Sequence, residues 1–202
     1  MVTAQPGDES RSLFPGEELL VANAVALRRG EFTAGRTCAR AALRALGLPA
    51  VAILADERRA PLWPDSVVGS ITHGAGFTAA AVALRRDVAM LGIDVEQAGD
   101  LDEDEAAIIV TPAEHEQASE ELGADAGRVL FSAKESIYKA WYPATGRWLD
   151  FHDVVVMIER GGSFTVEPGS HLDPDDRGML AAARGRFAVD AEHVFTAVHR
   201  LA

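Results

Sequence analysis

Apolar residues recur along this chain with two periods, and the places where one period gives way to the other mark its elements. Glu17 to Arg29 reads as a helix ending near Gly30, and a second helix runs from Thr33 as N-cap to Gly47, with Pro49 just beyond. In the second helix Cys38 sits among Ala34, Ala41, Ala42 and Ala45 at helical spacing, the setting of a small buried residue rather than a nucleophile. Val51 to Ala55 reads as a short strand. Further strands follow at Val67 to Thr72, Phe77 to Leu84 and Val88 to Glu96, separated by turns at Gly74-Ala75-Gly76 and Arg85-Arg86-Asp87. Asp100 to Ile109 and Thr111 to Leu122 read as helices, the latter opened by Thr111, Pro112 and Glu114 in a capping arrangement. Leu130, Ala133, Ile137, Ala140 and Trp141 keep the spacing of one more helix. Strands at Val154 to Glu159 and Phe164 to Glu167 flank a Gly161-Gly162 turn, and Arg186 to Asp190 with His193 to Leu201 forms a closing hairpin. Residues 1 to 15 read as a loose leader.

Composition narrows the class. A chain of 202 residues with 48% hydrophobic content buries a sizeable core, as one large domain or two small lobes. A single cysteine excludes an internal disulfide framework and favours a reducing cytosol. Met1 to Arg11 carries Asp8 and Glu9 and no apolar core, so no signal peptide is expected. Ser66 to Leu84 has no charge, yet Ser70, Thr72, His73, Thr78 and three glycines break it, which argues against a membrane span. The net charge of −12 argues against a general nucleic-acid binder. Asp94 to Asp125 holds 12 acidic residues and no lysine or arginine; the remaining 19 acidic residues are matched by 19 basic ones.

The candidate chemistry lies in two segments. In Gly92-Ile93-Asp94-Val95-Glu96, strand alternation puts Asp94 and Glu96 on one side with Cα atoms roughly 6.5 Å apart. In Phe131-Ser132-Ala133-Lys134-Glu135-Ser136-Ile137-Tyr138-Lys139-Ala140-Trp141, helical spacing puts Glu135 and Lys139 on one face. Mg²⁺ takes oxygen ligands, commonly one or two carboxylates plus substrate phosphates, and lysines beside it neutralise phosphate charge. Asp94, Glu96 and Glu135 with Lys134 and Lys139 fit that recipe. Taken singly, Glu135 with Lys139 also fits a helix-surface ion pair, and Ser132 with Glu135 a capping box. Arg36, Arg40 and Arg44 recur every four residues, suiting either a polyanionic ligand or a solvated face. Asp56-Glu57-Arg58-Arg59 precedes Pro61-Leu62-Trp63-Pro64, where the arginines fit hairpin-tip charges as well as a ligand.

Together with Trp63-Pro64 and Gly69-Ser70-Ile71-Thr72-His73, in this order and spacing, these motifs resemble those of the 4′-phosphopantetheinyl transferases of the larger, surfactin-synthetase-activating and enterobactin-associated type. The resemblance is close over residues 32 to 150. It implies an α+β fold of two similar lobes related by a pseudo-twofold, residues 1–96 and 97–202, with the active site between them; the recurrence of Phe77-Thr78-Ala79 as Phe195-Thr196-Ala197 is consistent with that. The activity implied is transfer of 4′-phosphopantetheine from coenzyme A to a serine of an apo acyl or peptidyl carrier protein, releasing adenosine 3′,5′-bisphosphate. Mg²⁺, with Mn²⁺ as an alternative, would lie on Asp94, Glu96 and Glu135, and Glu135 would be the general base with Lys139 assisting. Coenzyme A contacts would come from Arg36, Arg40, Arg58, Arg59, Ser70, His73, Asp94, Lys134 and Lys139. The resemblance further implies a cytoplasmic monomer serving secondary-metabolite or siderophore biosynthesis, with no nucleic-acid or membrane partner. Gly74 stands where the family often has cysteine, a departure confined to a loop. Two rival readings remain: a non-catalytic relative that binds coenzyme A or a carrier protein in a regulatory role, and another Mg²⁺-dependent nucleotide transferase.

Overall fold

The computed structural model describes residues 2–4 and 12–202; most of the expected leader, positions 1 and 5–11, lies outside the described residues. The fold is α+β. Its elements in chain order are β1 (Val2–Ala4), α1 (Pro15–Leu20), α2 (Ala26–Ala45), β2 (Val67–Gly74), β3 (Phe77–Leu84), β4 (Val88–Gln97), α3 (Glu103–Ile109), α4 (Pro112–Leu122), α5 (Ala126–Thr145), β5 (Val154–Glu159), β6 (Ser163–Pro168), α6 (Pro174–Ala181), β7 (Arg184–Val189) and β8 (His193–Leu201). They form a three-stranded sheet, β1-β3-β2, and a five-stranded sheet, β4-β8-β7-β6-β5, with antiparallel pairing throughout.

Three sequence expectations need correction. The expected helix Glu17 to Arg29 is broken at residues 21–25 and not at Gly30: α2 runs through Gly30, and Thr33 lies inside the helix with its hydroxyl donating to the Arg29 carbonyl at 2.7 Å. One interior glycine costs about 1 kcal/mol, too little to end a helix whose buried face, Ala34, Cys38, Ala39, Ala42 and Leu43, packs on β3. Val51 to Ala55 forms no strand; only an isolated bridge joins Ala55 to Pro61. Its polar backbone is met by buried side chains instead: Ile53 N–H donates to Glu17 Oε1 (2.8 Å), and Arg36 Nε donates to the Ile53 carbonyl (2.6 Å). Helix α6 was not anticipated, although Pro174 at its first turn and Asp175 and Asp176 behind it are ordinary start signals.

The main core gathers around α5. Leu130, Ile137 and Trp141 pack with Val156, Phe164 and Leu180. A smaller core lies between α2 and the first sheet, where Cys38, Leu43, Ile53, Val67 and Ala80 are fully buried. A third cluster, Ala79, Ala81 and Ile93, joins the sheets, and the Phe77 and Phe195 rings meet edge to face at 5.0 Å. Strand β4 is hydrogen-bonded into the second sheet rather than closing the first. It reaches β2 without a backbone ladder: Ile93 N–H donates to Ser70 Oγ and Val95 N–H to Thr72 Oγ1, both at 3.1 Å.

Gly92 sets the distance between β4 and α5. A Cβ there would lie 1.9 Å from the Ser136 carbonyl oxygen, so only glycine admits this approach. The result brings the acidic strand directly against the helix that carries Glu135 and Lys139.

Candidate active site

Alternation along β4 turns Asp94 and Glu96 to the same side as Gly92, toward α5. Asp94 is buried, and its carboxylate accepts from Thr72 Oγ1 (3.2 Å) and Ser132 Oγ (2.8 Å) and from the Lys139 ammonium. Ser132 in turn meets Thr196 of β8, their hydroxyls 3.0 Å apart. Asp94 is therefore fixed by hydroxyls from β2 and α5, the second of them held in turn by Thr196 of β8. Glu96 is half-buried, with Arg128 at 4.0 Å, and Glu135 is half-buried with no hydrogen-bond partner among the described residues. Burial holds the Glu135 carboxyl above the ordinary carboxylate range; Lys139 opposes this and Asp94 adds to it. Glu96 is raised as well, first by burial and then by Asp94, against Arg128 and Lys139.

Glu135 and Lys139 border a cavity of about 230 Å³ whose opposite wall carries Arg58, Arg59 and Ser70. Arg59, Pro61 and Ile71 continue into a second cavity of about 530 Å³, lined also by Arg28, Arg36 and His73. The two cavities thus form one basic groove beside the carboxylates. The two exposed arginines are presented by a tight turn in which Asp56 accepts from the N–H groups of Arg58 (2.9 Å) and Ala60 (2.8 Å), and Arg59 takes a positive φ of 68°. Arg58 lies over the rings of Tyr142 (5.8 Å) and Trp148 (5.7 Å). In the second cavity Arg28 Nη1 is 2.7 Å from His73 Nε2. An arginine only donates, so Nε2 accepts and Nδ1 carries the proton, facing Glu31 at 3.8 Å. Burial lowers the His73 pKa, which keeps the ring neutral. Burial also lowers Arg36 to about 10, and its guanidinium lies 4.2 Å from the Phe32 ring centre.

Of the residues expected to meet a ligand, Glu135, Lys139, Arg58, Arg59, Arg36, Ser70 and His73 line this groove. Ser70 does so while its hydroxyl oxygen accepts from Ile93 N–H. Two others are placed differently. Arg40 is buried, with Nη1 donating to both oxygens of Glu17 (2.9 and 2.7 Å) and Nη2 to the Ser12 carbonyl (2.7 Å), so it ties α2 to α1. Lys134 is also buried, and its ammonium donates to Glu114 (3.0 Å) and to the carbonyls of Ile109 (2.9 Å) and Phe151 (2.8 Å). Arg28 was missed because breaking the helix at Gly30 hid a continuous row of Arg28, Phe32, Arg36 and Arg40 at four-residue steps.

Among the described residues no three His, Cys, Asp or Glu side chains are assembled as a metal cage. The donor chemistry nevertheless suits Mg²⁺. Asp94, Glu96 and Glu135 are hard oxygen donors; Asp94 adds to the proton affinity of both glutamates and Glu135 to that of Glu96, while Lys139 opposes both shifts and Arg128 opposes that of Glu96. One or two carboxylates completed by phosphate oxygens and waters make a usual Mg²⁺ site.

Comparison with known proteins gives a consistent result. Residues 16–83 match the family model of the 4′-phosphopantetheinyl transferase N-terminal domain, and residues 90–196 match that of the 4′-phosphopantetheinyl transferase superfamily. The chain is 47% identical over 204 residues to 4′-phosphopantetheinyl transferase Svp of Streptomyces mobaraensis, spanning 97% of this chain and 82% of that protein. It is 40% identical over 191 residues to 4′-phosphopantetheinyl transferase PptT of Mycobacterium tuberculosis, spanning 91% and 84%. A shorter match, 40% over 126 residues, joins 56% of this chain to 54% of enterobactin synthase component D of Escherichia coli.

Proposed function

The chain belongs to the 4′-phosphopantetheinyl transferase superfamily and is such a transferase, and from that premise we propose how its own residues perform the transfer of 4′-phosphopantetheine from coenzyme A to a carrier-protein serine. The observation that carries the reading is the cavity lined by Glu135 and Lys139 on one side and by Arg58, Arg59 and Ser70 on the other. We place the active site there, between two lobes.

Coenzyme A lies along the basic groove. Arg28, Arg36 and His73 hold the 3′-phosphate end, Arg58 and Arg59 flank the path, and Lys139 meets the pyrophosphate. His73 is neutral in the free protein, so it donates one hydrogen bond through Nδ1 until an anion raises its proton affinity. Glu135 takes the proton of the incoming serine. Its carboxylate has no hydrogen-bond partner among the described residues and a proton affinity raised by burial, which suits it to this task. The serine oxygen forms a bond to the phosphorus that bears pantetheine. The bond from that phosphorus to the bridging oxygen breaks, and adenosine 3′,5′-bisphosphate departs with the electron pair. Asp94, Glu96 and Glu135 would hold Mg²⁺, which when bound supplies charge neutralisation at the pyrophosphate. Thr72 and Ser132 keep the Asp94 carboxylate aimed at the site.

The acceptor is a carrier domain of a fatty-acid, polyketide or nonribosomal-peptide synthase; the likeness to enterobactin synthase component D favours siderophore assembly as one destination. Mass spectrometry of apo-carrier proteins incubated with the protein, coenzyme A and Mg²⁺ tests this. A gain of one phosphopantetheine is expected, and unchanged mass across acyl and peptidyl carriers would reject the reading.

A further inference from the structure

Beside Glu135, on α5, a third cleft of about 330 Å³ opens between Ile108, Tyr138, Trp148 and Phe151. Lys134 borders it, yet the Lys134 side chain is 1% exposed. An ammonium has three hydrogens to donate, and here they meet Glu114, the Ile109 carbonyl and the Phe151 carbonyl. Glu114 is 2% exposed and equally committed. Oε1 accepts from Val156 N–H of β5 (2.9 Å), and Oε2 accepts from Thr111 N–H (3.0 Å) at the start of α4.

We propose that Lys134 and Glu114 are positioning residues: their buried ion pair sets the two walls of the cleft beside Glu135, and the lysine takes no part in holding phosphate. The geometry states the reason. Ile109 follows Ile108 on one wall, and Phe151 closes the segment that carries Trp148 on the other. A single ammonium on α5 grips the backbone of both, and Glu114 anchors that grip to β5 and α4. A phosphate reaching Lys134 would have to strip one of three acceptors from a buried site and weaken the counter-charge on Glu114. Lys139 differs: it is 30% exposed and lines the groove, so a phosphate reaches it without such a loss.

The inference rests on the transferase reading only for its probes, coenzyme A and a carrier protein. The test compares Lys134→Met, Glu114→Gln and the two together, with Lys139→Met alongside. Melting without ligand is measured first. Lys134→Met leaves a buried carboxylate unpaired and is expected to melt on the order of 10 °C lower, while the double variant regains at least half of that loss. Calorimetric titration then gives affinity for coenzyme A. The double variant is expected to stay within about threefold of the native protein, whereas Lys139→Met weakens binding about tenfold or more. Transfer to a carrier should show kcat of the double variant lowered by about tenfold to a hundredfold, because displaced walls misalign the groups around Glu135.

Losses in melting temperature that simply add, without recovery in the double variant, overturn the pairing. Coenzyme A affinity lost in the double variant as severely as in Lys139→Met returns Lys134 to the ligand, and an unaltered kcat removes its positioning role. If Lys134→Met does not fold, Lys134→Arg keeps the charge but replaces the three-way ammonium with a planar fork; it is expected to lower kcat at unchanged coenzyme A affinity, and the reverse split overturns the proposal. Native protein that takes up no coenzyme A sinks the transferase reading, and the melting series then decides the pair alone.

Discussion

Glu135 is the residue at which binding and chemistry can be separated. Glu135→Gln keeps size and reach but removes the charge proposed to accept the serine proton. On the proposed reading Asp94 and Glu96 would still offer carboxylates and the groove arginines would still hold coenzyme A, so affinity with Mg²⁺ should fall modestly. Single-turnover transfer should fall on the order of 10² or more; near-native transfer in a variant that binds coenzyme A would assign the base elsewhere. His73 gives a pH test. Its folded pKa lies below the ordinary value of about 6.5, chiefly because burial disfavours the charged ring. The unfolded chain therefore binds more protons between the two values, and stability rises with pH across that interval. The contribution is complete above the unfolded value, is lost as pH falls toward the folded one, and changes no further below it. The fall in urea midpoint from pH 8 to pH 5 should thus be shallower in His73→Gln than in the native protein. Raised groups such as Glu96 act in the opposite direction but in both proteins alike. Identical falls would show that His73 is not held neutral.

At the scale of elements, what could be read from the chain was whatever period and local chemistry decide. β3 and β5 occupy Phe77–Leu84 and Val154–Glu159, the expected residues, and Thr111 caps α4 in a box with Glu114 as its spacing suggests. What could not be read depended on partners far away in sequence. The segment 51–55 has the composition of a strand, but Glu17 and Arg36 satisfy its backbone from helices. Lys134 and Arg40 have the right spacing for a ligand, and buried acids 20 and 23 residues away claim them. Two glycines show the same division. Gly30 looked like a helix end, yet nothing lies within 4 Å of the Cβ it lacks, whereas the ordinary-looking Gly92 is pressed against Ser136. Gly30→Ala should therefore stabilise by about 0.5–1 kcal/mol, roughly 1–4 °C in melting temperature. Gly92→Ala drives a methyl into the backbone of α5 and should cost at least the roughly 1–3 kcal/mol typical of overpacking, with transfer lost as Asp94 parts from Lys139. Calorimetry on the two variants checks both signs, and a Gly92→Ala protein melting with the native one would remove the close approach from the account of the site.

The excess acid of the whole molecule is concentrated in one segment. Within the segment Asp94 to Asp125, Asp94 and Glu114 are turned inward, while Glu103, Asp104, Glu105, Glu116, Glu120 and Glu121 on α3 and α4 are exposed with no lysine or arginine among them. Arg58 and Arg59, by contrast, are exposed at the mouth of the groove. An acidic carrier protein approaching that mouth is attracted by a few arginines at short range and repelled by a helical face at longer range. Screening acts over about 8–10 Å at moderate ionic strength, so added salt weakens the distant repulsion more than the close contacts. With coenzyme A saturating, to keep its own salt-sensitive binding out of the measurement, KM for the carrier should fall or hold steady as salt rises. Glu103→Lys with Glu120→Lys should lower KM at low salt and flatten its salt dependence, because both act through the field rather than through a contact. A KM that climbs steeply with salt in the native protein would mean that attraction governs the approach, and that the carrier docks on the arginines strongly enough to outweigh the acidic face.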